Sequence, residues 1–275
     1  MTAASPHRLT VVPLGGIGNR MRVIRSAYAV ARLGVCRVDV AFASLRDCRC
    51  RFSDLFQPLP SPPPGFRIRS ARFCDKPSSR RNLYIPSLLR RFRYDAALYG
   101  FNSSGDEKIL DFIGKFPRLY ISGGYEFAGE DIPMSELFRP SPAVQKILDK
   151  LLARFGSYTV GFHVRTTDNR ESMRLSPLGL FLEKGREELA QHPDATFFVA
   201  TDSVAVKRAF VTTFPGRVVT LGGSLSRSER SGMIIAAADM FALSHADKVY
   251  GSWYSSFSEI AAELGGKRAE ILKLR

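Results

Sequence analysis

The sequence predicts an α/β protein of two lobes, each built on a parallel sheet, and three observations carry that prediction. Apolar runs of strand length alternate with helical runs, most regularly from Tyr158 onward, and such alternation means a parallel sheet covered by helices on both faces. A glycine-rich turn, Leu14 to Asn19, joins the first apolar run to the first helical one. The chain has 275 residues, 45% apolar and 11% aromatic, which is enough to bury two cores of ordinary size.

The elements follow in order. Leu9 to Pro13 is a short apolar strand, and Arg20 to Leu33 has helical periodicity, with Met21, Ile24, Tyr28 and Ala31 at three- and four-residue steps. Gly34 stands where a helix C-cap belongs, and Cys36 to Ala41 completes a βαβ-like unit. Pro58 to Pro64 holds five prolines and admits no regular element. Phe66 to Tyr99 mixes basic and aromatic residues without a readable period. Arg118 to Ser122 is a strand, and Ser141 to Phe155 is a helix expected to connect the lobes.

In the second half, Tyr158 to Val164 is a buried strand and Pro177 to Ala190 a helix opened by proline. Thr196 to Ala200 and Arg217 to Leu221 are strands on either side of a helix from Val204 to Phe214. An apolar helix from Met233 to Ser244, a strand at Lys248 to Tyr250, a helix from Ser256 to Leu264 and a strand from Glu270 to Leu274 complete the lobe. The expected domains are residues 1–145 and 146–275.

Composition narrows the function. The longest apolar runs, such as Met233 to Leu243, are far shorter than the ~20 residues that span a bilayer. Met1 to Leu9 has no apolar stretch of signal-peptide length, so a cytoplasmic location is expected. Cys36, Cys48, Cys50 and Cys74 form no Cys-x-x-Cys pair, and His7, His163, His192 and His245 are scattered, which argues against a metal site or a disulfide framework. The net charge is +14, and from Arg67 to Asp95 nine Lys or Arg residues face two Asp. Such an excess suits anions: phosphates, acidic glycolipids, nucleic acid or an anionic membrane surface. It also suits a plainly solvated face. No RNA- or DNA-binding module signature accompanies it, so nucleic acid is not expected.

Three polar clusters follow strands of the second half, where parallel sheets bind ligands. In His163-Val164-Arg165-Thr166-Thr167-Asp168, alternation turns His163 and Arg165 to one side, and the arginine fork suits phosphate oxygens. The same residues also fit a core histidine and a surface Arg165–Asp168 ion pair. Asp202, in Thr201-Asp202-Ser203, can meet a nucleoside or cap the next helix. Ser255 and Ser256 open the last helix as a natural anion site, while Ser256 with Glu259 equally matches a capping box. Gly15, Gly16 and Gly18 with Asn19 have neither the dinucleotide spacing nor a P-loop lysine, but they allow close backbone approach to a ligand.

Taken in order, these segments resemble a known set. Gly15-Gly16-Ile17-Gly18-Asn19-Arg20 is similar to the N-terminal loop of the fucosyltransferase superfamily with GT-B fold, which includes α1,2- and α1,6-fucosyltransferases, the nodulation fucosyltransferase and protein O-fucosyltransferases. His163-Val164-Arg165 with Asp168 resembles that superfamily's His-x-Arg-Arg-x-Asp segment. Phe198 to Ser203 resembles its strand ending in Thr-Asp, and Ala238-Asp239 to Ser244 with Gly251 to Glu259 resembles its closing helix, strand and Ser-Ser-Phe-Ser turn. The likeness is nearly continuous from Tyr158 to Leu264 and confined to the loop and its helix in the first half.

The resemblance implies two Rossmann-type lobes with a cleft between them, 1–145 on the acceptor side and 146–275 binding a GDP-sugar, most often GDP-fucose. It implies inversion at the sugar carbon without a metal or other cofactor, and a glycan, glycolipid or glycoconjugate acceptor. By position, Arg165 holds the diphosphate, His163 lies against the nucleoside, Asp202 contacts base or ribose, and Ser255 and Ser256 cap the phosphates; Gly16, Gly18 and Asn19 are further donor-binding candidates, Asn19 bordering the cleft. Glu171 is the first candidate for the general base and Asp168 the second. Thr166 departs from the pattern, standing where many members carry a second arginine; Arg20, Arg170 and Arg174 are the candidates to replace its charge. Other sugar nucleotides, and a non-catalytic nucleotide- or nucleic-acid-binding protein, are the competing readings. The basic stretch 67–93 would place the protein at the inner face of a membrane.

Overall fold

The structure is a computed structural model and describes residues 7–101, 106–128, 131–166, 170–223 and 226–274. The chain divides into two units, Met1–Ser53 with Pro58–Leu137, and Asp54–Gln57 with Phe138–Arg275. From the N-terminus the elements are β1 (Arg8–Pro13), α1 (Ile17–Arg32), β2 (Arg37–Phe42), α2 (Phe52–Leu55), β3 (Phe66–Ser70), α3 (Ile85–Arg93), β4 (Ala96–Tyr99), α4 (Asp106–Lys115), β5 (Arg118–Gly123) and α5 (Met134–Leu137). The five strands pair in parallel in the order β3-β2-β1-β5-β4. Leu9, Val11 and Val12 of β1 and Leu119 and Ile121 of β5 are buried on both faces, which is why these central strands read as unbroken apolar runs.

The second unit contains α6 (Pro142–Leu152), β6 (Thr159–Val164), α7 (Arg170–Leu175), α8 (Leu178–Gln191), β7 (Thr196–Thr201), α9 (Val204–Thr213), β8 (Val218–Val219), α10 (Arg230–His245), β9 (Lys248–Ser252), α11 (Ser256–Leu264) and β10 (Glu270–Leu272). Its strands are parallel in the order β10-β9-β6-β7-β8. Phe162, Phe181, Phe197, Phe210, Phe214 and Tyr250 fill one core. Glu188 receives hydrogen bonds from Tyr158, Tyr250 and Lys248, which together hold its carboxyl below the ordinary range against the opposing effect of burial. The α/β class with two parallel sheets is thus the one expected from the sequence.

Three local readings need correction. α6, expected as a connector, belongs to the second unit; Ser141 Oγ accepts from Val144 N–H at its start, and the helix packs on α10. The strand expected over Arg217 to Leu221 pairs only at Val218–Val219, because β8 is an edge strand with one neighbour. The unreadable stretch Phe66 to Tyr99 contains β3, α3 and β4, with two short 3₁₀ turns at Phe73–Asp75 and Arg80–Asn82. It gives no readable core-facing pattern because α3 buries Arg90 and exposes its leucines.

Strand order positions the sites. In the first sheet the chain winds outward from β1 through β2 to β3 and returns on the other side as β4 and β5, so the switch point lies between β1 and β5. In the second it winds from β6 through β7 to β8 and returns as β9 and β10, which puts the switch point between β6 and β9. Loops diverge at the carboxyl ends of such strand pairs and leave a crevice for a ligand.

Candidate active site

At the second sheet's switch point the loop after β6 and the turn after β9 are stitched together. Ser252 Oγ accepts the Arg165 N–H at 3.0 Å and donates to the His163 carbonyl at 3.3 Å. Ser255 Oγ lies 3.4 Å from His163 Nδ1, and the imidazole stacks on Phe257 with ring centroids 4.6 Å apart. His163 is therefore a buried, oriented ring rather than a loose surface group. The strand and turn approach so closely that a Cβ on Gly251 would fall 2.2 Å from Ser258 Oγ, so only glycine fits there.

Ser255 is the N-cap of α11 and makes no side-chain cap hydrogen bond; its hydroxyl is turned to His163 instead. The expected capping box beginning at Ser256 is not the arrangement found, because the helix already starts at Ser256. Arg165 is half-buried just beyond β6. Its neighbour Thr166 donates from Oγ1 to Asp202 Oδ1 at 2.9 Å, with its N–H 3.3 Å from the same oxygen. Asp202 thus ties the β6 loop to the end of β7. It is not the helix cap; Ser203 caps α9, accepting from Val206 N–H.

A buried carboxylate on α10 was not among the expected site residues. Asp239 of α10 is 6% exposed, its Oδ1 is buried without a hydrogen-bond partner among the described residues, and burial pushes its carboxyl up to about 7 against the pull of Lys207. Its height on the sheet follows from neighbouring contacts. Asp247, just past α10, bonds Thr159 at the start of β6, and Leu243 lies against Gly161. α10 therefore runs antiparallel to β6. Four residues before Leu243, Asp239 stands about 6 Å along the helix axis toward the strands' carboxyl ends. An aspartate inside the apolar run Met233 to Leu243 was the legible signal.

Glu171, on α7, is 72% exposed with Arg174 3.7 Å away. Asp168 and the side chain of Arg170 lie outside the described residues.

The glycine loop occupies the first sheet's switch point. Gly15 has φ of +80° and a Cβ there would meet Asn19 Nδ2 at 2.8 Å, while Gly16 caps α1 in extended backbone and Gly18 is buried within it. Gly124, past β5, abuts Leu14 and Asn19, so both strand ends converge on that asparagine. Arg20 is 1% exposed; its Nε donates to the Gly15 carbonyl at 2.8 Å, Nη1 donates to the Ala43 carbonyl at 2.6 Å, and the guanidinium lies over Phe42. Its Nη2 is buried 3.6 Å from Asp47 Oδ1 and makes no hydrogen bond among the described residues, so Arg20 braces the loop through its other two nitrogens.

Two parallel sheets with ligand-facing switch points define the class of this fold, and solved structures share it. The chain matches a point mutant of FUT1 from Arabidopsis thaliana in complex with GDP, with TM-score 0.63 and 15% identity, covering 99% of this chain and 71% of that one. It matches NodZ, an α-1,6-fucosyltransferase, soaked with GDP-fucose, with TM-score 0.60 and 15% identity over 94% and 93% of the two chains; a NodZ structure from Bradyrhizobium matches equally. POFUT1 in complex with GDP-fucose gives TM-score 0.60 and 13% identity over 100% and 99%. No family model and no curated protein matches the sequence. The fold is that of these fucosyltransferases.

Proposed function

We propose that the protein is a glycosyltransferase that uses a GDP-sugar, with GDP-fucose the leading donor. The observation that carries this reading is the group at the second switch point, Arg165, His163, Ser255 and Ser256, on a fold shared with proteins crystallised with GDP or GDP-fucose. Arg165 and the first amides of α11 receive the diphosphate, two features that favour negative charge at one place. His163, stacked on Phe257, packs against the nucleoside. Asp239 accepts from the base: the adjacent N–H donors on one edge of guanine would satisfy an Oδ1 that has no hydrogen-bond partner among the described residues. Asp202 holds Thr166 and borders the ribose or base.

The reaction is direct displacement with inversion. An acceptor hydroxyl of a glycan or glycolipid attacks the anomeric carbon as its proton leaves to a carboxylate, and GDP departs with the bonding pair. Negative charge grows on the leaving diphosphate, where Arg165 and helix amides lower its energy. Glu171, on the helix that follows the arginine loop, is the proposed base, with Asp168 as the second choice. Gly16, Gly18 and Asn19, at the first sheet's own switch point, remain proposed donor-binding residues, because glycine lets the backbone approach a ligand closely. Metal independence is part of the proposal, because a cationic fork and helix amides do what a divalent ion would otherwise do.

Titration separates this reading from others. GDP should raise the melting temperature in a saturable way, with UDP and a short oligonucleotide giving much smaller shifts. Incubation with a panel of sugar nucleotides should then release GDP from one of them. Equal responses to GDP and UDP would remove the guanine assignment, and no nucleotide response would remove the transferase reading altogether. Thr166, neutral where many of the resembled proteins have arginine, is the reason to include GDP-mannose beside GDP-fucose.

A further inference from the structure

α3 is turned inside out. A nine-residue helix on a protein surface ordinarily buries its apolar stripe, yet here the inward positions are Pro86 and Arg90. Arg90 is 2% exposed; it donates to the carbonyls of Lys76 and Cys74 and to Ser78 Oγ, and its guanidinium lies over Tyr120 and Tyr99. Ile85, Leu88, Leu89 and Phe92 form the i, i+3, i+4, i+7 stripe and face solvent, Leu88 at 54% and Phe92 at 78% exposure. Leu83 and Tyr84, which lead into the helix, are also exposed and both hold left-handed backbone, φ +53° and +57°. The turn before them is pinned by Asn82, which accepts from Ser79 N–H and donates to the Pro77 carbonyl. The outward apolar stripe is thus held in place by a buried arginine and a braced turn.

The charges around it have been sorted by the fold. Of the basic stretch, Arg67 is bound to Asp39, Arg69 to Asp75, and Arg90 is internal. Arg80, Arg81 and Arg91 are exposed and Arg93 half-buried, all on or beside α3. The acids of the stretch are committed too: Asp75 is buried against Arg69, and Asp95 is paired with Arg118.

We propose that Leu83 to Arg93 is a docking surface for an anionic lipid bilayer, with Leu88, Leu89 and Phe92 entering the acyl boundary and the arginines resting on headgroup phosphates. An apolar stripe edged by cations is the chemistry that suits such an interface. A free polyanion would engage the arginines but leave the stripe without a partner, and a second copy of this face would set arginine against arginine. No described helix is long and apolar enough to cross a membrane, so the contact is in the plane of the surface. The inference rests on the first unit alone and is independent of the nucleotide reading.

The test is flotation of the full chain with vesicles of phosphatidylcholine, with and without phosphatidylglycerol. The protein should rise only with the anionic vesicles, and less as salt is raised well above physiological strength, where the Debye length falls below about 8 Å. The double variant Leu88→Ser/Phe92→Ser should lower partition at least about tenfold. Arg80→Gln, Arg81→Gln and Arg91→Gln should each lower it about fivefold. These side chains are exposed, so the melting temperature and its response to GDP should stay as in the wild type. The proposal is overturned if the double serine variant floats like wild type, or if neutral vesicles bind equally. It also fails if sedimentation velocity finds a dimer that the serine changes dissolve while flotation is unaffected.

Discussion

Arg165 and Asp239 make opposite demands on the protein, and each can be tested separately. Removing one partner of a desolvated charged pair costs about 2–5 kcal/mol, so Arg165→Ala should lower kcat/KM by roughly 30-fold to several thousand-fold at 1.36 kcal/mol per factor of ten. Arg165→Lys should recover part of the loss, since lysine keeps the charge and lacks the fork. Stability without ligand should hardly change, and the melting shift produced by GDP should shrink. An early-melting Arg165→Ala that keeps its GDP shift would make the residue a structural one. Asp239 behaves differently because its carboxyl is raised to about 7 in the folded chain, against about 3.9 when unfolded. Between those values the unfolded chain ionises while the folded one holds its proton, so this residue makes the protein less stable as pH rises through that window and adds nothing further above it. The slope is at most about 1.4 kcal/mol per pH unit. Asp239→Asn should therefore be more stable than wild type at pH 8 and equal to it near pH 3. It should bind GDP roughly 10- to 100-fold more weakly, because an amide offers one acceptor where the base needs two. Denaturant melts across pH with parallel calorimetry measure both; an Asp239→Asn protein that binds GDP like wild type removes Asp239 from the site.

At the scale of an element, α3 illustrates how a local sequence pattern can mislead. Five arginines of the basic stretch, Arg80, Arg81, Arg90, Arg91 and Arg93, look alike in the sequence, and only packing separates Arg90 from the rest. Arg90→Leu should destabilise the protein by about 2–4 kcal/mol, because two buried carbonyls and a hydroxyl lose their donor. Arg91→Ala, one residue away and exposed, should stay within about 0.5 kcal/mol. Urea melts of the pair decide it; equal effects would mean that Arg90 is not the fixed point of the helix. The turn after β9 teaches a related lesson, since Ser255 and Ser256 were legible as a helix start but the aim of the Ser255 hydroxyl at His163 was not. Capping chemistry is local, whereas that aim depends on β6 lying beside β9.

For the whole molecule, the reading is of a transferase whose charge stabilisation comes from the chain itself. Transfer should survive EDTA unchanged, and added Mg²⁺ or Mn²⁺ should give less than about a twofold change if no ion shares the diphosphate. Complete loss in EDTA, restored by either ion, would contradict it. Within the second sheet, strand order explains why the proposed donor residues are scattered from His163 to Ser256: the ends of β6, β7 and β9 each contribute one or two groups, and their adjacency brings His163, Arg165 and Ser255 together.

What the sequence determined by itself was local. Apolar runs marked the buried central strands, Pro177 and Gly34 marked helix ends, and polar groups marked the carboxyl ends of β6, β7 and β9, because burial, capping and strand direction are written over a few adjacent residues. Strand order was decided only by the tertiary structure, and with it the pairing of the β6 loop to the β9 turn, the burial of Arg20 and Arg90 against backbone carbonyls, and the burial of Asp239 on α10. The physical reason is that a side chain's partners in these cases lie tens of residues away, and the free energy of an arginine or aspartate depends on what surrounds it rather than on its neighbours in the chain.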